Sequence, residues 1–149
     1  MKKHCKLTIR RITSSDISTL LQLCAELHDI HNPIPFDHKW KQNWLIDFVK
    51  HKKNIVLIAV IDAPVAYLIS ECLTEEYTKA TYLHIREIYV RPHHQNNGIG
   101  KKLLDNASRI ASSWNCRFIS LNVKNGNPAF NFFAAKDFSL FSSQLRKLL

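Results

Sequence analysis

Glycine is scarce in this 149-residue chain: there are three, and two of them, Gly98 and Gly100, stand side by side but for one residue. Cysteine is sparse as well. Cys5, Cys24, Cys72 and Cys116 lie far apart in sequence, whereas zinc sites and redox motifs need close pairs, so neither is indicated and buried thiols are expected. No metal site is expected. No apolar run approaches the length of a membrane span. The basic opening, Met1-Lys2-Lys3-His4-Cys5-Lys6, runs into Thr8, Arg10, Arg11 and Thr13 and contains no signal-peptide core. The expected compartment is therefore the cytoplasm, with no membrane partner. Repeats, low-complexity stretches and linkers are also missing, so one domain over residues 1–149 is expected.

Hydrophobic residues make up 46% and charged residues 22%, the balance of an ordinary globular protein able to bury its own core. Positive charge is in excess: 21 Lys+Arg against 12 Asp+Glu, formally +9. Such a field attracts nucleic acid, acidic membranes or phosphorylated cofactors. The basic residues are dispersed, however, and their tightest groups are only Lys50-His51-Lys52-Lys53 and Lys101-Lys102. Without interleaved aromatic and basic residues, nucleic-acid binding ranks last.

Residues 6–12 alternate apolar and polar side chains and read as a strand. Ser14-Ser15-Asp16 offers a helix cap, and Ile17, Leu20, Leu21, Cys24 and Leu27 follow at helical spacing until Asn32-Pro33 and Pro35. A second helix is expected from Asp37 to Lys50, with Trp40, Trp44, Leu45 and Phe48 on one face. Residues 55–61 form a β-branched apolar run, hence a buried strand. Asp62-Ala63-Pro64 reads as a turn, 65–73 as the returning strand, and 81–90 as the next, stopped by Pro92. An amphipathic helix covers Gly98 to Trp114, and a strand covers 118–123. Asn127 and Pro128 open a helix that runs to about Lys136, and one or two short strands finish the chain. The order β-α-α-β-β-β-α-β-α-β is that of an α/β (α+β) fold, a sheet with helices on its faces.

The chemistry is concentrated in the strand-loop-helix segment Ile88-Tyr89-Val90-Arg91-Pro92-His93-His94-Gln95-Asn96-Asn97-Gly98-Ile99-Gly100-Lys101-Lys102. Glycine allows strained angles and close approach to a ligand. A helix N-terminus presents free N–H groups and a positive dipole end, which together suit phosphate. A dinucleotide pattern would need a third glycine at Leu103, and a Walker loop would need Ser or Thr where Lys102 stands. The plain alternative is a helix start that tolerates two glycines.

Gln95-Asn96-Asn97-Gly98-Ile99-Gly100, preceded by Val90-Arg91-Pro92, resembles the acyl-CoA motif Gln/Arg-x-x-Gly-x-Gly/Ala of the GNAT N-acetyltransferase superfamily. The segment from Asn127 through Ala129 and Phe133 to Phe138 resembles the second motif of that family, Asn-x-x-Ala-x-x-Phe-Tyr-x-x-x-Gly-Phe. The element order is similar along almost the whole chain. The resemblance implies a mixed, mostly antiparallel central sheet flanked by helices. It implies acetyl transfer from acetyl-CoA to a primary amine of a small molecule or protein by direct attack. The amides of Gln95, Asn96, Asn97, Gly98, Ile99, Gly100 and Lys101 would hold the pyrophosphate. The backbone of Ile88 and Val90 would pair with the pantetheine arm, next to a strand splay or bulge, and Asn127 would lie beside the arm.

Three positions depart from the family pattern. Phe133 replaces the usual Tyr that protonates the departing thiolate. Asp137 replaces the Gly before the last Phe, which calls for a left-handed Asp. Arg86 replaces a frequent Glu, and the acid stands next to it as Glu87. Alternation along a strand sends Arg86 and Glu87 to opposite faces. Glu87 is the first candidate for general base, directly or through water, and a salt-bridged strand residue is its bland alternative. Tyr89 and His84 are further candidates. His28 and His31 lie where the family often meets its acceptor, and packed or surface roles are the alternative there.

The acceptor stays open among a small polyamine, an aminoglycoside-like amine and a protein amine. The +9 charge argues against a highly cationic acceptor unless Glu71, Glu75, Glu76 and Glu87 form an acidic patch. The rival reading is a non-catalytic acyl-CoA-binding regulatory module, supported by Phe133 and Arg86. A homodimer stays open.

Overall fold

The structure, a computed structural model, describes residues 5–124 and 126–149. Five strands form one sheet in chain order: β1 (Thr8–Arg11), β2 (Asn54–Ile61), β3 (Ala63–Thr74), β4 (Thr81–Val90) and β5 (Ile119–Leu121). The first four are antiparallel neighbours, and β4 and β5 run parallel. Helices α1 (Ile17–His31) and α2 (His38–Phe48) cover one face, and α3 (Ile99–Ser113) and α4 (Ala129–Ala134) cover the other. The expected mixed, mostly antiparallel sheet flanked by helices is what forms.

Each face has its own core, because alternate side chains of β2 to β4 point to opposite sides. Ile55, Leu57, Leu68, Leu83 and Ile85 meet Leu103, Leu104, Ala107 and Phe133 on the α3 side. Val56, Ile58, Tyr67, Ile69 and Tyr89 meet Leu20, Leu23, Leu45 and Phe48 on the α1–α2 side. Among the described residues, no helix is long and apolar enough to cross a membrane.

The entry to α1 is held by charge. The Asp16 carboxylate accepts from Thr13 N–H (2.6 Å) and twice from the Arg10 guanidinium (2.7 and 2.9 Å). Arg10 above all, opposed in part by burial, holds its carboxyl far below the usual carboxylate range. A carboxyl lowered in this way stabilises the fold above its unfolded pKa of about 3.9, and that contribution fades as pH falls further. Asp16→Asn is therefore expected to cost about 1–2 kcal/mol near neutrality and progressively less below about pH 4. Urea titrations across pH give this directly, and a cost that stays constant from neutral to acid pH would show that the charge is not what matters.

Four expectations need correction. Ala63 and Pro64 belong to β3: Asp62, at φ +62°, makes the turn alone. Pro64 is tolerated because it pairs where the β2–β3 register shifts, at Ala59/Val60. On α2 the buried stripe is Lys41, Leu45 and Phe48, while Trp40 is 60% exposed. The expected final strands are absent: residues 138–149 form neither helix nor strand. The apolar side chains of Leu145, Leu148 and Leu149 fall three and one apart rather than alternating, so they offer no face to a sheet. Lastly, Cys72 and Cys116 are distant in sequence but meet with sulfurs 3.8 Å apart, and Cys5 is exposed, its thiol on Asp62.

Candidate active site

The junction of β4 with α3 begins where two strands part. Pairing of β4 with β5 stops at Ile85–Leu121, yet β4 continues to Val90, still paired with β3. From Arg86 onward the β5 side of β4 therefore has no strand partner. The Gln95 side chain turns back and donates to the Val90 carbonyl (2.9 Å), which ties the loop to the strand end. Pro92–His94 makes one 3-10 turn, Asn96 takes φ +62°, and Gly98 takes φ +77° as the N-cap of α3.

No side chain caps α3. Its first-turn amides at Ile99, Gly100 and Lys101 are thus available to an anion, with the positive end of the helix dipole behind them. A Cβ built on Gly98 meets nothing within 4 Å. Its backbone angle favours glycine there, and the space beside it is open to a ligand. Gly100 differs: a Cβ would stand 3.2 Å from Cζ of Phe132, so here glycine lets α4 pack against α3. Gln95, Asn96, Asn97 and Lys101 are exposed on the same turn, and the Lys101 ammonium reaches Asp105 (3.0 Å). Across the gap, Asn127, one residue before the N-cap Pro128, accepts from the Ala129 N–H at the start of α4 (2.9 Å). His31 reaches over from α1 to line a shallow cleft of about 280 Å³ with Lys124, Gly126, Asn127 and Pro128.

Phe133 is 6% exposed, its ring edge-on to Phe132 and Phe138 (centroids 5.2 and 5.7 Å) in the α3-side core. Asp137 adopts φ +66°, the left-handed conformation that the missing glycine demands.

On the other face of β4, the structure overturns the alternation argument. Ile69 pairs with Glu87 and Ser70 with Ile85, so Arg86 is bulged out of the ladder. Beyond the bulge the pattern is offset by one, and Arg86 and Glu87 both reach α2. The Arg86 guanidinium lies 5.5 Å from the Trp44 ring centroid and donates to Glu71 (2.6 Å). Glu87 is bonded to the Lys41 ammonium by one oxygen and accepts from Tyr67 O–H (2.8 Å) by the other. Lys41 also sits over Trp44, 4.5 Å from its centroid.

Beside this carboxylate a phenol and a thiol are kept in their neutral forms. Burial, then the Glu87 charge, pushes the Tyr67 phenol far up. Burial first and Glu87 second push the Cys24 thiol up to about 12. Neither is a base or nucleophile at neutral pH. Tyr89 is not brought to Glu87. Its hydroxyl donates to Glu26 (3.1 Å), and burial followed by that bond raises it to about 12. Glu26 is also gripped by Arg91, through Nη2 at 2.9 Å and Nε at 3.2 Å. His84 bonds Ser120 (2.9 Å) and is lowered chiefly by burial. His28 is packed, against the Ile34 carbonyl (2.7 Å) and edge-on to Phe36.

Sequence reasoning missed Lys41, Tyr67 and Glu26. A signal existed only for the first: position 41 falls on the same helical stripe as Leu45 and Phe48. A charge on a buried stripe needs a partner across the interface. Among the described residues, no group of three His, Cys, Asp or Glu stands ready for a metal ion.

The model of the Acetyltransferase (GNAT) family matches residues 17–138. No curated protein matches the chain in sequence. Among solved structures, a transcriptional regulator from Bacillus halodurans C-125 is similar with a TM-score of 0.81 and 20% identity, covering 97% of this chain and 100% of that one. A GNAT family acetyltransferase from Staphylococcus aureus has a TM-score of 0.73 and 21% identity, covering 96% and 98%. An aminoglycoside acetyltransferase from an uncultured soil metagenomic sample, crystallised with trehalose, has a TM-score of 0.74 and 19% identity, covering 96% and 95%.

Proposed function

The chain belongs to the GNAT acetyltransferase family, and from that premise we propose that it moves an acetyl group from acetyl-CoA to the primary amine of an acceptor by direct attack. The observation that carries this reading is the β4–α3 junction, where a left-handed glycine and an uncapped helix start lie at the mouth of a strand splay. The residues present fit the donor. The amides from Asn96 to Lys101 take the pyrophosphate, with the helix dipole favouring its charge; the Gln95 N–H, expected among them, is instead held by the Pro92 carbonyl (3.3 Å). The free edge of β4 at Ile88 and Val90 receives the pantetheine arm as an added strand would be received, and Asn127 and Phe133 border it. A backbone N–H on that edge polarises the thioester carbonyl.

The acceptor enters from the α1–α2 side, against Glu87. An alkylammonium has a pKa of about 10.4, so it must lose a proton before it attacks. Glu87 takes that proton, directly or through one water. The amine nitrogen then bonds to the carbonyl carbon, the carbon–sulfur bond breaks, and CoA leaves as its thiolate. A thiol of pKa about 8.5 is a tolerable leaving group, which suits a chain that carries Phe133 where a phenol would donate. Tyr89 acts through Glu26 and Arg91, holding α1 against the strand end, and is a positioning residue.

The chain works in this reading as one domain over residues 1–149 in the cytoplasm, with acetyl-CoA and an amine as its partners, no metal, and no nucleic acid. An aminoglycoside, the acceptor class named for one structural neighbour, would bring several positive charges to a chain of formal charge +9. The test is acetyl-CoA binding by calorimetry beside CoA release across a panel of amines. Binding with amine-dependent release is the expected result. Binding without release from any amine would overturn catalysis in favour of a regulatory acyl-CoA-binding module, and no binding would remove the donor assignment.

A further inference from the structure

Building on the acetyl-transfer reading, we propose that the acceptor is a small amine that also bears a carboxylate and an apolar, flat portion, and that Arg86 receives the carboxylate. The bulge at Arg86 is the starting point, since it places this guanidinium and the Glu87 carboxylate on one face from neighbouring positions. An amine held at Glu87 and an acid held at Arg86 must then lie within a few bonds of each other, as in an α-amino acid.

Arg86 has donors to spare. A guanidinium offers five N–H groups in a planar fork matched to a carboxylate. The one hydrogen bond described for Arg86 goes from Nη1 to Glu71, and its side chain is 44% exposed. Two tryptophans lie beside it. The Trp44 ring is stacked on Phe48 (centroids 4.5 Å) and flanked by Arg86 and Lys41, and Trp40, nearly parallel to it (19°, centroids 6.4 Å) and largely exposed, supplies the flat surface. An apolar side chain laid on Trp40 lies next to the ring that both cations flank.

The ion pairs on this face leave little for a second positive charge beyond the one Glu87 would receive. The three carboxylates that reach it between the helices and β3–β4 are each taken: Glu26 by Arg91, Glu71 by Arg86 and Glu87 by Lys41. Of the other members of the acidic patch that a cationic acceptor would need, Glu75 accepts from Thr78 and Glu76 stands exposed on the adjoining turn. A second positive charge on the acceptor would find Arg86 and no unspent carboxylate among the first three.

Two compounds that differ only in the carboxylate, L-phenylalanine and phenethylamine, test this, with spermidine as the polycation. CoA release gives kcat and KM, and calorimetry on the CoA-loaded chain gives binding of the same amines whether or not they turn over. The carboxylate should lower KM and Kd by about tenfold or more with little change in kcat, and spermidine should be the poorest of the three. Arg86→Glu should reverse the order, and Arg86→Lys should keep it in weakened form; thermal melting verifies that each variant is folded. Equal or better use of phenethylamine or spermidine by the wild-type chain would overturn the proposal, as would an unchanged order in Arg86→Glu. Carboxylate-selective binding with no turnover of any amine would uphold Arg86 and sink the acetyl-transfer reading instead.

Discussion

Glu87→Gln is expected to lower kcat by about 100-fold or more, to leave acetyl-CoA affinity unchanged, and to flatten the acidic limb of the pH–rate profile. A general base must be unprotonated to accept the amine proton, so removing it removes that dependence of rate on pH. Gln keeps the shape and the bond from Tyr67 but cannot take the proton. The substitution has a second effect that must be separated from the first. Lys41 is buried, and Glu87 is its counter-charge. Stranding such an ion costs roughly 3–5 kcal/mol when both partners are fully buried. A quarter of the Glu87 side chain meets solvent, so the loss should fall at or below the lower end of that range. The double variant Lys41→Met with Glu87→Gln removes both charges. Its stability should recover toward wild type while kcat stays low. A single variant that retained wild-type kcat and its acidic limb would assign Glu87 a purely structural task.

The second large effect is expected at Gly98. Gly98→Val should weaken acetyl-CoA binding at least tenfold, about 1.4 kcal/mol. It should also cost about 1–2 kcal/mol or more of stability, because a side chain at φ +77° is strained whatever the space around it. Gly98→Asn distinguishes the two causes. Asn visits the left-handed region with little penalty, and no protein atom lies within 4 Å of the added Cβ. A folded Asn variant that has lost affinity would show that the ligand occupies that space. Unchanged affinity in both variants, measured by calorimetry, would remove the pyrophosphate from this turn.

What the sequence makes legible here follows from how local each signal is. The strand Thr81–Val90 stops where Pro92 requires, and α3 lies within one residue of its expected limits, bounded by Gly98 and Trp114. The left-handed Asp137 follows from a glycine position filled by something else. Nonlocal features escape. A one-residue bulge against β3 leaves no mark in the composition of β4, yet it moves Arg86 to the face of Glu87. The pair Lys41–Glu87 joins a helix to a strand through packing that no periodicity encodes, although the charge on the α2 stripe hints at it. The chain after Phe138 carries apolar residues without a strand's regular spacing, and the strands expected there do not form.

Gly100 and Phe132 carry a consequence for how such a chain can vary. With a Cβ at position 100 meeting Cζ of the ring at 3.2 Å, the two residues share one volume, although they belong to motifs on different helices. The two sites are coupled: an alanine at 100 asks the ring at 132 to shift by a few tenths of an ångström, and a residue larger than that asks for a smaller or displaced one. The packing of α4 on α3 thus links the two motifs, and a change at one is felt first at the other.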